Sequence, residues 1–191
     1  MQFTRVQVVN TMLPLYSQDQ LGYSASTSGL IFTVAGIATF AMIAPTGFIS
    51  DKIGRKWAAG MAAVSSAIAF IVFPLATTLS GLMIAAVIVG IANGLALGAM
   101  TIYTYDIVPS HVRGQLQAVR RSVGELGALT SPPVAGLISA TFSPGATFWF
   151  FAPLHIVSAF LIFAIGKESL QGKRNENAPS TEEIDEGYLL K

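Results

Sequence analysis

The sequence predicts an all-α membrane protein with six transmembrane helices. Hydrophobic residues make up 52% of the 191 residues and charged residues only 11%, whereas a soluble domain carries roughly 25% charged residues. The mean hydropathy of +0.61 agrees with a membrane protein. Several stretches are also long and apolar enough to cross a hydrocarbon core about 30 Å thick, which takes about 20 helical residues.

Five apolar stretches follow one another with short connections, at 26–49, 56–75, 79–105, 119–141 and 146–165. In the third stretch, Gly90, Gly94 and Gly98 recur at every fourth position, which is typical of a face that packs closely against a neighbouring helix. In the fourth, Pro132 and Pro133 predict a helix kink, because a proline removes a backbone donor. Kinks of this kind let half-helices tilt in transporters.

A shorter segment at 1–16 precedes these stretches and is followed by a polar loop at 17–24. It contains Arg5 and several polar side chains, and it predicts a helix whose beginning is missing. A secretory signal peptide is the alternative. The charged start, uninterrupted apolar core and small-residue cleavage site of such a peptide do not occur here.

The distribution of Lys and Arg predicts the orientation of the chain. The connections at 17–24, 77–79 and 142–145 contain no Lys or Arg, and the basic residues lie on the opposite side. Because basic residues favour the cytoplasmic side, we expect an integral protein of the plasma or inner membrane with a cytoplasmic C-terminus. The basic residues concerned are Lys52, Arg55, Lys56, Arg113, Arg120, Arg121, Lys167, Lys173, Arg174 and Lys191.

The segment from Glu168 onward is polar, poor in aromatic residues and mixed in charge. Such a composition does not bury enough apolar surface to fold. The expected organisation is therefore a six-helix transmembrane domain at 1–167, followed by a disordered cytoplasmic tail at 168–191.

The connection between the second and third predicted helices carries a long pattern, G-x-x-x-D-R/K-x-G-R-R/K. Its fixed positions are all filled, by Gly47, Asp51, Lys52, Gly54, Arg55 and Lys56. A pattern of this length, between two membrane helices and on the predicted cytoplasmic side, resembles the signature loop of the major facilitator superfamily.

Three further stretches resemble segments of the same superfamily, so that the resemblance covers nearly the whole membrane part. Residues 11–24 resemble the end of the first helix of a six-helix half, and residues 106–115 resemble the connection between its fourth and fifth helices. Residues 127–136 are similar to the antiporter motif G-x-x-x-G-P-x-x-G-G of the fifth helix. Ser131 and Ala135 stand in place of two of its glycines.

The resemblance implies one half of a major facilitator superfamily fold, an inverted repeat of three plus three helices with the substrate site between two halves. The polar tail and the absence of an Arg inside 79–105 favour the C-terminal half of a longer chain. The implied function is secondary active transport of small molecules by alternating access, including proton-coupled export of drug-like or metabolite substrates. The alternative is a non-transporting truncated fragment that assembles with a partner half.

Four kinds of partner follow from this interpretation. The lipid bilayer surrounds the helices, a small-molecule substrate is carried, and the missing N-terminal half or a second copy completes the transporter. No nucleic acid is expected as a partner.

The signature loop predicts a conformational latch at the cytoplasmic face. Its glycines permit a positive φ in a tight connection, and Asp51 is presented to the start of the fifth helix, where the helix dipole stabilises a carboxylate. We expect Ser110 to cap that helix. Topological anchoring explains Lys52 but not Asp51, since acidic residues contribute little to orientation. The predicted latch residues are Gly47, Asp51, Lys52, Gly54, Arg55, Lys56, Asp106 and Arg113.

Polar residues inside the predicted helices are candidates for a substrate or proton site, because such residues are costly in a membrane. Gln7 and its neighbours one turn later share a helix face, and the resemblance implies that the first and fourth helices line the cavity; hydrogen bonding between helices is the alternative. Glu125 either carries a coupling proton or is neutralised by Arg121 one turn before it. Arg5 binds an anionic substrate or Glu125, or it snorkels to the surface. The candidates are Arg5, Gln7, Asn10, Asn93 and Glu125.

Nothing in the sequence indicates an enzyme. The chain has no cysteine, which excludes disulfides and thiolate metal sites. His111 and His155 are far apart in sequence, and no phosphate-binding or dinucleotide motif occurs. No cofactor is therefore expected.

Overall fold

The computed structural model describes residues 2–107 and 112–165, which are helical apart from short connections and contain no strand. A π-helix (Tyr16–Gln20) follows the first helix and a 3₁₀ turn (Phe73–Leu75) follows the third. The predicted tail at 168–191 lies outside the described residues. The six α-helices are α1 (Gln2–Leu15), α2 (Ala25–Lys52), α3 (Arg55–Val72), α4 (Leu79–Ile107), α5 (Arg113–Thr141) and α6 (Pro144–Ile165).

The largest differences from the predicted helix boundaries lie at two places. The predicted loop at 17–24 is helical as far as Gln20, and the chain then turns at Gly22, whose φ of 72° is unfavourable for other residues. Helix α5 begins at Arg113, six residues (119 − 113) before the predicted start. Its first turns are polar, and the prediction rested on a continuous apolar stretch.

Contacts between distant segments define the two ends of the bundle. At one end, the Tyr16 hydroxyl donates to the Pro74 carbonyl at 2.9 Å, and the Gly145 backbone N–H donates to Gln20 Oε1 at 2.9 Å. The other end, called the basic end below, holds the short connection from α2 to α3 at 53–54. It corresponds to the side that the sequence predicts to be cytoplasmic.

Helices α2 and α4 pack with their backbones in close contact. A Cβ atom at Gly90 would lie 2.4 Å from the Ala35 carbonyl oxygen, and one at Gly94 would lie 2.7 Å from the Thr39 carbonyl oxygen. A Cβ atom at Gly98 would instead meet the Thr46 side chain of α2, at 2.7 Å from its Cγ2. The predicted close-packing face of α4 is therefore confirmed, and its neighbour is α2.

Small residues also let α3 fit between α4 and α6. Ala58, Ala59, Ala62 and Ala63 of α3 are buried. A Cβ atom at Gly60 would lie 2.2 Å from the Phe163 ring of α6. Interfaces between membrane helices favour such residues because close approach maximises van der Waals contact.

Aromatic rings fill the core at the end opposite the basic end. Phe148 of α6 stacks on Phe73 at a centroid distance of 4.7 Å and meets Phe70 edge-on at 5.5 Å. Tyr16 lies 5.7 Å from Phe73. These rings connect the π-helix, α3 with the 3₁₀ turn that follows it, and α6 through large apolar surfaces.

Within the described residues, four helical segments are long and apolar enough to span a membrane: Ala25–Lys52, Arg55–Leu75, Leu79–Ala99 and Pro144–Ala164. The fourth predicted stretch, at 119–141, is not among these segments, because α5 carries Arg120, Arg121 and Glu125 in its first half. Helix α1 has only 14 described residues.

Candidate functional site

The connection between α2 and α3 is shorter than the signature pattern suggests. Asp51 and Lys52 belong to the last turn of α2, and Arg55 already begins α3. Gly54 has a φ of 128°, a conformation that a residue with a side chain rarely adopts. Gly54 therefore has the role predicted for it.

The prediction for Gly47 was wrong. Gly47 lies inside α2, its φ is not positive, and a Cβ atom there would contact nothing within 4 Å. The break in the chain comes six to seven residues later, where the Ile53 and Gly54 backbone N–H groups both donate to the Ile49 carbonyl. Neither turn geometry nor close packing within the described residues requires a glycine at position 47.

Charges surround this connection at the basic end. Asp51 and Lys52 are exposed, and the Lys52 ammonium lies 4.5 Å from the centre of the Phe48 ring, a cation–π contact. Arg55 and Lys56 are half-buried. The prediction that Ser110 caps α5 was wrong, because the helix begins only at Arg113 and its N-cap is Val112, which makes no side-chain capping bond. The side chains of Asp106 and Arg113 lie outside the described part of the structure. The latch therefore stays a prediction.

A cavity of about 950 Å³ opens between α1 and α5. Arg121 and Glu125 face it with side chains 78% and 55% exposed, and Arg121 Nε lies 3.8 Å from Glu125 Oε1. This pair is the neutralising contact that the spacing of four residues suggested. The lining residues are Gln7, Ala118, Arg121, Ser122, Glu125, Leu126, Ala128, Leu129 and Pro132.

The cavity brings together two of the predicted substrate residues, Gln7 from α1 and Glu125 from α5. Asn10 is exposed, and Thr11 Oγ1 donates to the Gln7 carbonyl at 2.8 Å within α1. Asn93 on α4 does not line the cavity. Its Oδ1 is buried and accepts no hydrogen bond from the described residues.

Arg5 points away from this cavity into the interior of the bundle, where it is only 1% exposed. Its guanidinium donates to the Ser66 hydroxyl of α3 and, at 3.1 Å, to the Ala92 carbonyl of α4. Its Nε and Nη2 have no partner among the described residues. In this structure Arg5 contacts neither Glu125 nor the cavity, and it does not snorkel.

His155 was not predicted as part of a site, yet it is fully buried on α6. Its ring lies 4.5 Å from the Phe70 ring, centre to centre, and both of its nitrogens lack a partner within the described residues. The sequence could have indicated His155, because it is a single ionisable residue in an otherwise apolar helix and such residues are costly in a membrane.

Pro132 and Pro133 lie inside α5, which continues to Thr141. Because Pro132 has no N–H, the Ala128 carbonyl loses its helical donor. The Ser131 hydroxyl donates to that carbonyl at 3.3 Å. Ser and Thr side chains commonly satisfy carbonyls freed by proline in membrane helices.

The fold and these sites can be compared with known proteins. Residues 1–187 match the Major Facilitator Superfamily. The cis,cis-muconate transport protein of Acinetobacter baylyi is 26% identical over 142 residues, which are 73% of this chain and 34% of that protein. The chain thus spans well under half the length of this relative.

Two solved structures share the fold. The nucleoside transporter NupG superposes with a TM-score of 0.76 at 18% identity, over 94% of this chain and 45% of that one. The proton:xylose symporter XylE, bound to 6-bromo-6-deoxy-D-glucose, gives a TM-score of 0.69 at 20% identity, over 88% and 45%. The match across nearly the whole sequence, supported by the fold, shows that this chain is an integral membrane protein of the major facilitator superfamily.

Proposed function

We propose that the chain forms one half of a secondary active transporter, which moves small molecules by alternating access. The observation that carries this proposal is the cavity between α1 and α5, where Arg121 and Glu125 are exposed within a membrane domain. Charged side chains within a membrane domain face water-filled paths or protein rather than lipid. A cavity of this kind, open on a six-helix half, is the surface that a substrate path requires.

Metabolites are the substrate class that we propose. The relative and the two structures have names that refer to muconate, nucleosides and xylose, which are small polar molecules. Coupling to protons is proposed from Glu125, a carboxylate facing the cavity. Export is the direction that the partial antiporter motif at 127–136 favours.

We also propose that a second six-helix half, either a separate half or another copy of this chain, covers the open side of the bundle. Helix α2 exposes a row of large apolar side chains, including Leu30, Ile37, Phe40 and Phe48. Lipid covers part of this row, and a partner half is needed to close the cavity. Because the chain has no cysteine, single cysteines introduced along α2 and α5 would report cross-links to a partner without background.

Proteoliposomes test the transport proposal. The chain, alone and with any half that copurifies with it, is reconstituted, and uptake of labelled muconate, xylose and uridine is measured with and without an imposed pH gradient. We expect gradient-driven accumulation that a protonophore abolishes. Glu125→Gln should lose gradient-driven accumulation and keep counterflow exchange. Absence of accumulation and of counterflow for every solute would favour the alternative, a non-transporting fragment.

The latch proposal concerns Asp51, which is exposed at the end of α2. We expect Asp51→Asn to shift the balance between inward-open and outward-open states, because the variant removes the charge that would hold the basic end closed. Spin-label distances across the basic end of the assembled transporter measure that balance. Asp19→Asn, at an exposed carboxylate of the opposite end, is the control. Equal distance distributions for the Asp51 variant and the wild type would reject the latch.

A further inference from the structure

We propose that the cavity between α1 and α5 binds an organic carboxylate. The ligand carboxylate replaces Glu125 as the ion-pair partner of Arg121. This inference rests on the proposed function, because it names the substrate class of the same cavity. It begins from the position of the ion pair. Glu125 lies 12 residues (125 − 113) after the start of α5, about 18 Å along the helix at 1.5 Å per residue.

The existing ion pair leaves Arg121 available to a ligand. The single Nε–Oε1 contact of 3.8 Å is long, and both side chains are more than half exposed. Exposed pairs one helical turn apart are weak. A guanidinium has five donors in a planar arrangement that matches a carboxylate with two parallel hydrogen bonds. A free carboxylate that approaches in that geometry can therefore replace Glu125.

The remainder of the lining indicates what the carboxylate is attached to. Leu126, Leu129 and Pro132 form an apolar wall, and Gln7 and Ser122 are the uncharged polar side chains. A neutral sugar, with a hydroxyl on most carbons, would leave most of its hydroxyls without partners here, which is costly. An acid with an apolar or aromatic body fits both the cation and the wall.

Exchange at Arg121 changes the surroundings of Glu125. Once the ligand holds Arg121, Glu125 faces the cavity without its cation.

No other described charge competes for Glu125. From α1, Arg5 is turned into the bundle, and from α6, His155 lies against Phe70. On α5 itself, Arg120 Nε donates to Gln117 at 3.0 Å. The Asp106 side chain of α4 lies outside the described residues.

The test measures binding of benzoate and benzamide to the purified chain in lipid nanodiscs by titration calorimetry. The two probes have the same ring and differ in charge. We expect benzoate to bind at least tenfold more tightly than benzamide.

Three variants separate the roles of the charges. Arg121→Gln should weaken benzoate binding at least tenfold, whereas Glu125→Gln should bind benzoate as tightly as wild type or more tightly. Arg120→Gln is the matched control and should behave like wild type. Both cavity side chains are largely exposed, so the variants should unfold at the temperature of the wild type, which circular dichroism checks.

Several results would overturn the proposal. These are equal binding of benzoate and benzamide, absence of benzoate binding, unchanged affinity in Arg121→Gln, or loss of binding in Glu125→Gln. Benzoate binding without gradient-driven uptake of any solute would keep the site and reject transport. Uptake of neutral solutes without benzoate binding would keep the transport proposal and reject the carboxylate site.

Discussion

Replacing Gly90 by alanine tests whether direct backbone contact holds α2 and α4 together. A Cβ atom at this position would lie 2.4 Å from the Ala35 carbonyl oxygen and 2.6 Å from the Ala38 Cβ. Ordinary contact begins at 3.4 Å, so α2 would have to move away by about 1.0 Å (3.4 − 2.4). Neither neighbouring atom belongs to a flexible side chain that can rotate away, and the helices must therefore separate.

The expected cost follows from two opposing contributions. Overpacking a tight interior costs about 1–3 kcal/mol, whereas glycine to alanine in a helix gains about 0.5–1 kcal/mol. We expect Gly90→Ala to lower the free energy of unfolding by about 1–2 kcal/mol. Gly36→Ala, on α2, is the matched control, because a Cβ atom there meets nothing within 4 Å. It should raise the free energy of unfolding by about 0.5–1 kcal/mol.

The assay is unfolding of the chain in mixed micelles by increasing SDS, followed by far-ultraviolet circular dichroism. The midpoint and slope for each variant give the change in the free energy of unfolding. If Gly90→Ala were as stable as Gly36→Ala, the close backbone contact between α2 and α4 would be refuted.

Two other groups of variants extend this test with the same unfolding assay. Ser66→Ala should cost about 1.5–3 kcal/mol, because the buried guanidinium of Arg5 keeps only the Ala92 carbonyl as acceptor. Arg5→Met should be neutral or more stable, since an apolar side chain of similar length replaces an unpaired buried charge; a larger loss than for Ser66→Ala would contradict this. Tyr16→Phe keeps the ring and removes the hydroxyl that donates to the Pro74 carbonyl, so it should cost about 1 kcal/mol. Unchanged stability of that variant would show that the hydroxyl does not contribute.

Sequence patterns were most informative where one residue type has one physical use. Gly54 was expected in a tight turn and has a φ of 128°, and the glycines at every fourth position of α4 contact α2. Gly47 shows the limit of such reasoning. It occupies a fixed position of the signature pattern, yet in this structure it is an ordinary helical residue, because a motif position does not state the backbone conformation that it takes.

Apolarity predicted the helices less well where the helix also carries charges. The start of α5 was missed because residues 113–118, which include Arg113, Gln115 and Gln117, do not continue the apolar stretch. Further along the helix, Arg121 and Glu125 face a cavity. The hydropathy of a segment is an average over all faces of the helix. A helix beside a cavity has one surrounding on its cavity face and another on its remaining faces.

The sequence by itself determined the membrane class, the helical architecture and the family, because hydrocarbon requires long apolar helices and because the signature pattern is long. Only the tertiary structure decided which face each intramembrane charge occupies. Arg5 and Glu125 both looked like candidates for one site, but α1 turns Arg5 towards Ser66 and Ala92, while α5 turns Glu125 towards the cavity with Gln7. Helical periodicity relates side chains within one helix, whereas the rotation of each helix about its axis is set by packing against its neighbours.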